Sequence, residues 1–215
     1  MIKSLKILDH KSRLRTSEEL SLRKKEFLKI CDILDKLKIR YYLQTGILLG
    51  AIRHNNFIPW DWDVEFSVFS IDLKPKLLKL KSKLQKSNFN IIQIDQELKS
   101  IKIDFHGKLP SQTTSYTIYG WNHDKKKKIL WRKKFKVPDH FILNMKKIEL
   151  FKKYHYAPYP PEKYLEFQYG NWKKPLQTSN KYIYMRKEYS GKNKIYDLFD
   201  FFLNSVKKLI LIFTK

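Results

Sequence analysis

The residues with most chemical potential lie in one short run, Asp61-Trp62-Asp63-Val64-Glu65-Phe66-Ser67-Val68. It alternates with period 2, the pattern of a half-buried strand. Val64, Phe66 and Val68 fall on one face, and Asp61, Asp63, Glu65 and Ser67 on the other. Asp61 and Asp63, two apart on such a strand, point the same way about 7 Å apart. A second alternating run, Ile101 to His106, puts Ile101, Ile103 and Phe105 inward and Lys102, Asp104 and His106 outward. With Asp104 beside the first two aspartates, each like-charged pair at about 5 Å costs roughly 3 kcal/mol at an effective dielectric of 20, about 10 for three. Such a cluster persists only when protonated or when a cation sits within it. An all-oxygen site without cysteine favours Mg²⁺ or Mn²⁺, which keep waters and bind substrate phosphates. A bare D-x-D is more often a solvated strand face, so the elements around it decide.

Those elements begin upstream. Thr16 and Glu19 have capping-box spacing, and Leu20, Phe27, Cys31, Leu34 and Leu37 recur at helical intervals, predicting a helix over about 17–38. Ile39 to Leu43 reads as a strand, Thr45-Gly46 as a break, and Ile47 to Arg53 as a short helix. The start of that helix, at Gly46, offers N–H groups and a positive dipole end to phosphate. Arg53 and His54 close it; they would either pair with a donor phosphate or bond nearby carbonyls. Lys102 reads as a charge partner for phosphate or for Asp104. Further on, a helix is expected over Leu73 to Lys86, a strand near 89–94, hairpin-like or irregular chain over 111–136, and a helix over about 161–169 ended by Gly170. Tyr169 and Trp172 read as packing anchors or as stacking surfaces.

The glycines and aspartates carry a resemblance. Gly46-Ile47-Leu48-Leu49-Gly50-Ala51-Ile52-Arg53-His54, followed by Asn56-Phe57-Ile58-Pro59-Trp60-Asp61, resembles the signature of the LicD family. That family includes bacterial phosphocholine transferases and fukutin-related ribitol-phosphate transferases. Ile101 to Phe105 resembles its later aspartate-bearing strand, and Pro161 to Trp172 its C-terminal Tyr-Leu…Tyr-Gly-Asp-Trp element, so the likeness spans about 40–175. It implies an α/β (α+β) nucleotidyltransferase-like mixed sheet flanked by helices, with Thr45-Gly46 at the superfamily's Gly-Ser turn. It further implies transfer of a phosphorylated group from a CDP-linked donor to a sugar hydroxyl of a glycan, which can be lipid-linked, with CMP leaving. Asp61 and Asp63 carry over as ligands of Mg²⁺ or Mn²⁺, and Asp104 as third ligand or general base. Thr45, Gly46, Arg53, His54 and Lys102 are the expected substrate-binding set. Departures are Trp62 where the family has a carboxylate, expected on the opposite strand face, Glu65 in place of aspartate, and Asn171 in place of aspartate.

Composition bounds the rest. The 215 residues carry 45 Lys+Arg against 21 Asp+Glu, a net charge of +24. One cysteine, Cys31, excludes an internal disulfide and a CxxC zinc site. Met1 to Leu14 contains no apolar run of signal-peptide length, so a reducing, cytoplasmic setting is expected. The division expected is an N-terminal helical segment over 1–38, a catalytic domain over 39–190, and an amphipathic basic helix over 191–215. In that last helix Leu198, Phe202, Val206, Leu209, Ile210 and Phe213 form a stripe. Its 195–213 stretch suits either core packing or peripheral contact with the inner membrane face. The densest basic run is Lys125 to Lys136, yet no nucleic-acid signature accompanies it, so specific nucleic-acid binding is not expected. Two other classes stay open on residues alone: a nucleotidyltransferase that transfers NMP and expels pyrophosphate, and a non-catalytic basic module that binds nucleic acid or membrane.

Overall fold

A computed structural model describes residues 12–97, 100–110, 113–178 and 181–186. The tail expected as a helix over 191–215 lies outside the described residues, as do Met1 to Lys11. Among the described residues nine strands make one mixed sheet: β1 (Tyr41–Leu43), β2 (Asp63–Phe69), β3 (Asn90–Glu97), β4 (Ser100–His106), β5 (Ser115–Asp124), β6 (Ile129–Arg132), β7 (Phe135–Pro138), β8 (Lys146–Leu150) and β9 (Lys153–Ala157). Their main order is β3-β4-β5-β2-β1-β9-β8, and β6 and β7 leave it as a ribbon hung on β5. β2 runs parallel to β5 and β1 parallel to β9; the other pairs are antiparallel.

One sheet face is a hydrophobic core. Val64, Phe66 and Val68 of β2 meet Ile101, Ile103 and Phe105 of β4 and Tyr116 and Ile118 of β5, all buried. Helix α1 (Ser17–Lys36) covers this face, stacking Phe27 on Phe66 at 5.3 Å. The capping box starts it as its spacing predicts: Thr16 accepts from the Glu19 N–H, and Glu19 accepts from the Thr16 N–H. Cys31 lies fully buried on the apolar stripe.

Helix α2 (Thr45–His54) follows β1, and the expected helix over Leu73 to Lys86 is divided. It comprises α3 (Ser70–Leu73), a 3₁₀ turn at Lys74–Lys76 holding Pro75, and α4 (Leu77–Lys86). Proline lacks the N–H that a continuous helix would use there. Within the stretch expected as hairpin-like or irregular, β5, β6 and β7 are successive antiparallel strands, the hairpin-like alternative. Short α5 (His140–Leu143) and the β8–β9 hairpin carried no sequence expectation. The hairpin turns through Phe151 and Lys152, both at positive φ, 57° and 61°, without the Asn or Gly that normally marks such a turn. Helix α6 (Pro161–Tyr169) ends at Gly170, φ 72°, where expected; α7 (Lys181–Tyr184) is a single turn. Among the described residues no helix is long and apolar enough to cross a membrane.

Candidate active site

The site is assembled where β1 turns into α2 and where the chain enters β2. Gln44 ends β1, but its side chain does not cap α2. It is drawn into a buried chain instead: Trp121 Nε1 donates to Ser67 Oγ (3.1 Å), Ser67 donates to Gln44 Oε1 (2.5 Å), and Gln44 donates to the Tyr164 hydroxyl. β5, β2, α6 and the start of α2 are thereby locked together. Thr45 then adopts φ 55°, a left-handed conformation that β-branched residues rarely take. Beyond it the N-terminus of α2 carries no side-chain cap, and its first residues, Thr45 and Gly46, line the cavity.

The two glycines of the Gly46-to-His54 run are required by contact. A Cβ on Gly46 would stand 2.1 Å from Asp61 Oδ2. One on Gly50 would stand 2.4 Å from the Asn56 carbonyl oxygen, where the loop to β2 crosses the helix. Asp61 itself lies in that loop and not on the strand, because pairing with β5 begins only at Asp63. Its main chain is pinned from α1: buried Arg23 donates to the Asp61 carbonyl at 2.7 Å and to Thr114 Oγ1 at 3.1 Å. Arg15 Nε adds a bond to the same carbonyl at 3.3 Å.

So held, Asp61 Oδ1 accepts from the Trp62 N–H at 3.0 Å, and Asp61 and Asp63 line one cavity together. Burial pushes the Asp61 carboxyl above the ordinary carboxylate range, against the pull of Arg23 and Asp63, and the Glu65 charge adds to the rise. Two carboxyls facing one partly desolvated cavity favour a shared proton or a cation between them. They open on a cavity of about 640 Å³ with Thr45, Gly46, Arg53 and Glu65 on the same wall. Trp60, Trp62, Tyr169, Trp172 and Tyr184 supply aromatic surface, and Asn171, Lys174, Pro175, Leu176 and Thr178 complete that stretch of the lining. The strand alternation had put Trp62 on the face opposite the acids; it lines the same cavity, since it precedes β2 and is free of the pleat.

The other expected residues divide. Arg53 lines the cavity and donates to the Lys174 carbonyl at 3.1 Å, which is the carbonyl-bonding alternative. His54 is exposed and outside the lining. Asp104 shares the sheet face of Asp63 and Glu65, since Thr117 pairs with Glu65 on one side and Asp104 on the other. It does not line the cavity: Thr117 Oγ1 donates to one of its oxygens at 2.8 Å and Lys102 ion-pairs with the other. Tyr119 stands next along β5; burial raises its hydroxyl pKa, and the charges of Glu65, Asp63 and Asp104 add to that rise. Trp172 lines the cavity as one reading of it allowed, whereas Tyr184, Lys174, Pro175, Leu176 and Thr178 carry no period-2 or helical signal and were not expected there, and Trp60 was expected only as part of the motif. Glu65 was legible on the acidic face.

The donor set suits a hard divalent cation: paired oxygen ligands in a partly desolvated wall, with one carboxyl driven toward protonation when nothing positive is near. Among the described residues no three His, Cys, Asp or Glu side chains converge as a complete cage. A Mg²⁺-like ion at Asp61 and Asp63 would therefore complete its shell with water and phosphate oxygen, its usual habit.

Residues 38–160 match the family described as LicD/FKTN/FKRP, nucleotidyltransferase domain. Over 44 residues the chain is 41% identical to the ribitol 5-phosphate transferase FKRP of Homo sapiens, covering 20% of this chain and 9% of that protein. It is 43% identical over 54 residues to the lipopolysaccharide cholinephosphotransferase LicD of Haemophilus influenzae, covering 22% and 20%. With the ribitol-5-phosphate transferase FKTN of Macaca fascicularis it shares 27% identity over 180 residues, 76% of this chain and 36% of that one. The matched stretches thus span well under half the length of each of these relatives.

Proposed function

The chain belongs to the LicD family, and from that premise we propose that it is a metal-dependent phosphotransferase acting on a CDP-linked donor. The group moved is phosphocholine or a phospho-alditol, the acceptor a sugar hydroxyl of a cell-surface glycan. The observation that carries this reading is that Asp61, packed against Gly46 at the start of α2, shares with Asp63 the lining of one aromatic-walled cavity.

In this reading Asp61 and Asp63 hold Mg²⁺ or Mn²⁺, which supplies charge neutralisation at the diphosphate and polarises the phosphorus under attack. The α2 N–H groups and Arg53 bind donor phosphate, with Thr45 and Gly46 forming the turn that brings the backbone close. Trp62, Tyr169 or Trp172 offers a stacking surface to the cytosine. The acceptor oxygen attacks the phosphorus distal to the nucleoside. The bond from that phosphorus to the bridging oxygen breaks, and CMP departs with the bonding electrons. A sugar hydroxyl is too weak an acid to react unaided at neutral pH, so its proton passes to a carboxylate. Asp104 is assigned that role: it stands on the sheet face of Asp63 and Glu65 but outside the cavity lining, so it must turn from Lys102 or Thr117 toward the acceptor. Lys102 then positions Asp104 and neutralises it between turnovers.

The test is to incubate the protein with CDP-choline, CDP-ribitol or CDP-glycerol, Mg²⁺ and candidate glycans. CMP formation with a modified glycan supports the reading. Pyrophosphate release from a nucleoside triphosphate, with no CMP from any CDP donor, replaces it with nucleotidyl transfer.

A further inference from the structure

The basic run from Lys125 to Lys136 takes no part in the site above, and the fold gives it a distinct shape. It spans β6 and β7, which pair with β5 and each other and so project from the main sheet. Its charges are sorted by type. Lys125, Lys126, Lys127, Lys128, Lys133, Lys134 and Lys136 are all exposed, whereas Arg132 is 7% exposed. The Arg132 guanidinium lies 3.5 Å from the Tyr119 ring centroid and 4.7 Å from that of Phe135. This follows from hydration: a guanidinium desolvates and stacks readily, and an ammonium stays in water. The nearby acids Asp124 and Asp139 are engaged by Lys127 and His123. Half-buried Trp131 pairs in register with Lys136, bringing an amphipathic ring beside the charge.

We propose that the β6–β7 ribbon is a docking surface for an anionic lipid bilayer. A bilayer surface presents diffuse negative charge that exposed ammonium groups answer without directional bonds, and a tryptophan suits the headgroup level. Nucleic acid fits less well. Its readers are exposed arginine forks and stacking faces, and here the one arginine is turned inward onto aromatic rings. The inference concerns where the protein sits and stands apart from the reaction proposed above.

The full chain is sedimented with phosphatidylcholine vesicles with and without about 30 mol% phosphatidylglycerol. Binding is expected only to the anionic vesicles, weakening at least about tenfold between roughly 0.05 and 0.5 M salt. The variant K125Q/K126Q/K133Q/K136Q is expected to lose on the order of a hundredfold, as about fivefold per lysine allows. Removing equal charge from α4 and its approach, K74Q/K79Q/K83Q/K86Q, is expected to cost less than about threefold. Brominated lipid should quench tryptophan emission in the wild type, and W131F should lose most of that quenching. Absence of anionic-vesicle binding, equal losses in the two lysine variants, or unchanged quenching in W131F overturns the proposal. So does tighter binding to RNA than to vesicles through the same four lysines.

Discussion

Gly46 and Asp61 occupy what would otherwise be one side chain's space: a methyl group on Gly46 would stand 2.1 Å from Asp61 Oδ2. The glycine at the start of α2 is therefore the other half of the acidic site. It lets a carboxyl group lie directly over the backbone whose N–H groups and dipole would face a phosphate. The Gly46→Ala variant is expected to fold with a loss of about 1–2 kcal/mol, because Asp61 can swing toward the cavity. CMP release should nevertheless fall by about a hundredfold or more, since displacing a positioned group by an ångström has that effect. Thermal unfolding and steady-state kinetics on one preparation separate the two quantities.

Arg23 acts on Asp61 from behind. Its guanidinium, buried within α1, bonds the Asp61 carbonyl and Thr114, and burial lowers its pKa. Replacing Arg23 by Met is expected to cost about 3 kcal/mol and to loosen the entry into β2, leaving the buried Thr114 hydroxyl without this donor and the Asp61 carbonyl with only the longer Arg15 bond. Arg23→Lys should recover part of the stability but less of the activity, because a single ammonium cannot span both partners. Urea unfolding with CMP assays of both variants checks this.

The capping box supplies a pH-dependent term. Glu19 accepts from the Thr16 N–H and takes a two-pronged contact from Arg13 at 2.5 and 2.9 Å, which holds its pKa down at about 2. A depressed carboxylate pKa contributes stability above its unfolded value and loses it as pH falls through the folded one. Glu19→Gln should therefore destabilise by about 1 kcal/mol at neutral pH. The difference from wild type should shrink between pH 4.5 and about 2 and vanish below it. Unfolding midpoints measured across that range give the comparison.

The two halves of the acidic face were unequally legible. The alternation of Val64, Phe66 and Val68 with Asp63, Glu65 and Ser67 holds in β2, and that of Ile101 to His106 holds in β4, because burying one sheet face leaves a period in the sequence. Asp61 and Trp62 escaped it by standing just before the first β2–β5 pair, where a loop anchored by Arg23 fixes direction instead. The division at Pro75 was written in the sequence but outweighed by the helical spacing around it. The turn at Phe151 and Lys152 was not written at all, since neither residue favours positive φ and the strands impose it. The cavity lining at Lys174, Pro175, Leu176 and Thr178 likewise has no period to read.

Asp104 provides a test of role against position. As a general base held off the metal, Asp104→Asn should lower kcat by about a hundredfold or more while leaving KM for the donor and the affinity for Mn²⁺ within about twofold. Lys102→Met, which removes the ion pair, should lower kcat less than Asp104→Asn does. A parallel loss of Mn²⁺ affinity in Asp104→Asn would make it a ligand.

The central claim is that Asp61 and Asp63 jointly hold one divalent cation. Its most direct measurement is Mn²⁺ titration followed by electron paramagnetic resonance, on wild type, Asp61→Asn and Asp63→Asn, in the presence of a CDP-linked donor. The account predicts one saturable site in the wild type, displaced by Mg²⁺, and a fall in affinity of about tenfold to a hundredfold in either variant with folding intact. Equal Mn²⁺ binding in all three proteins would contradict it.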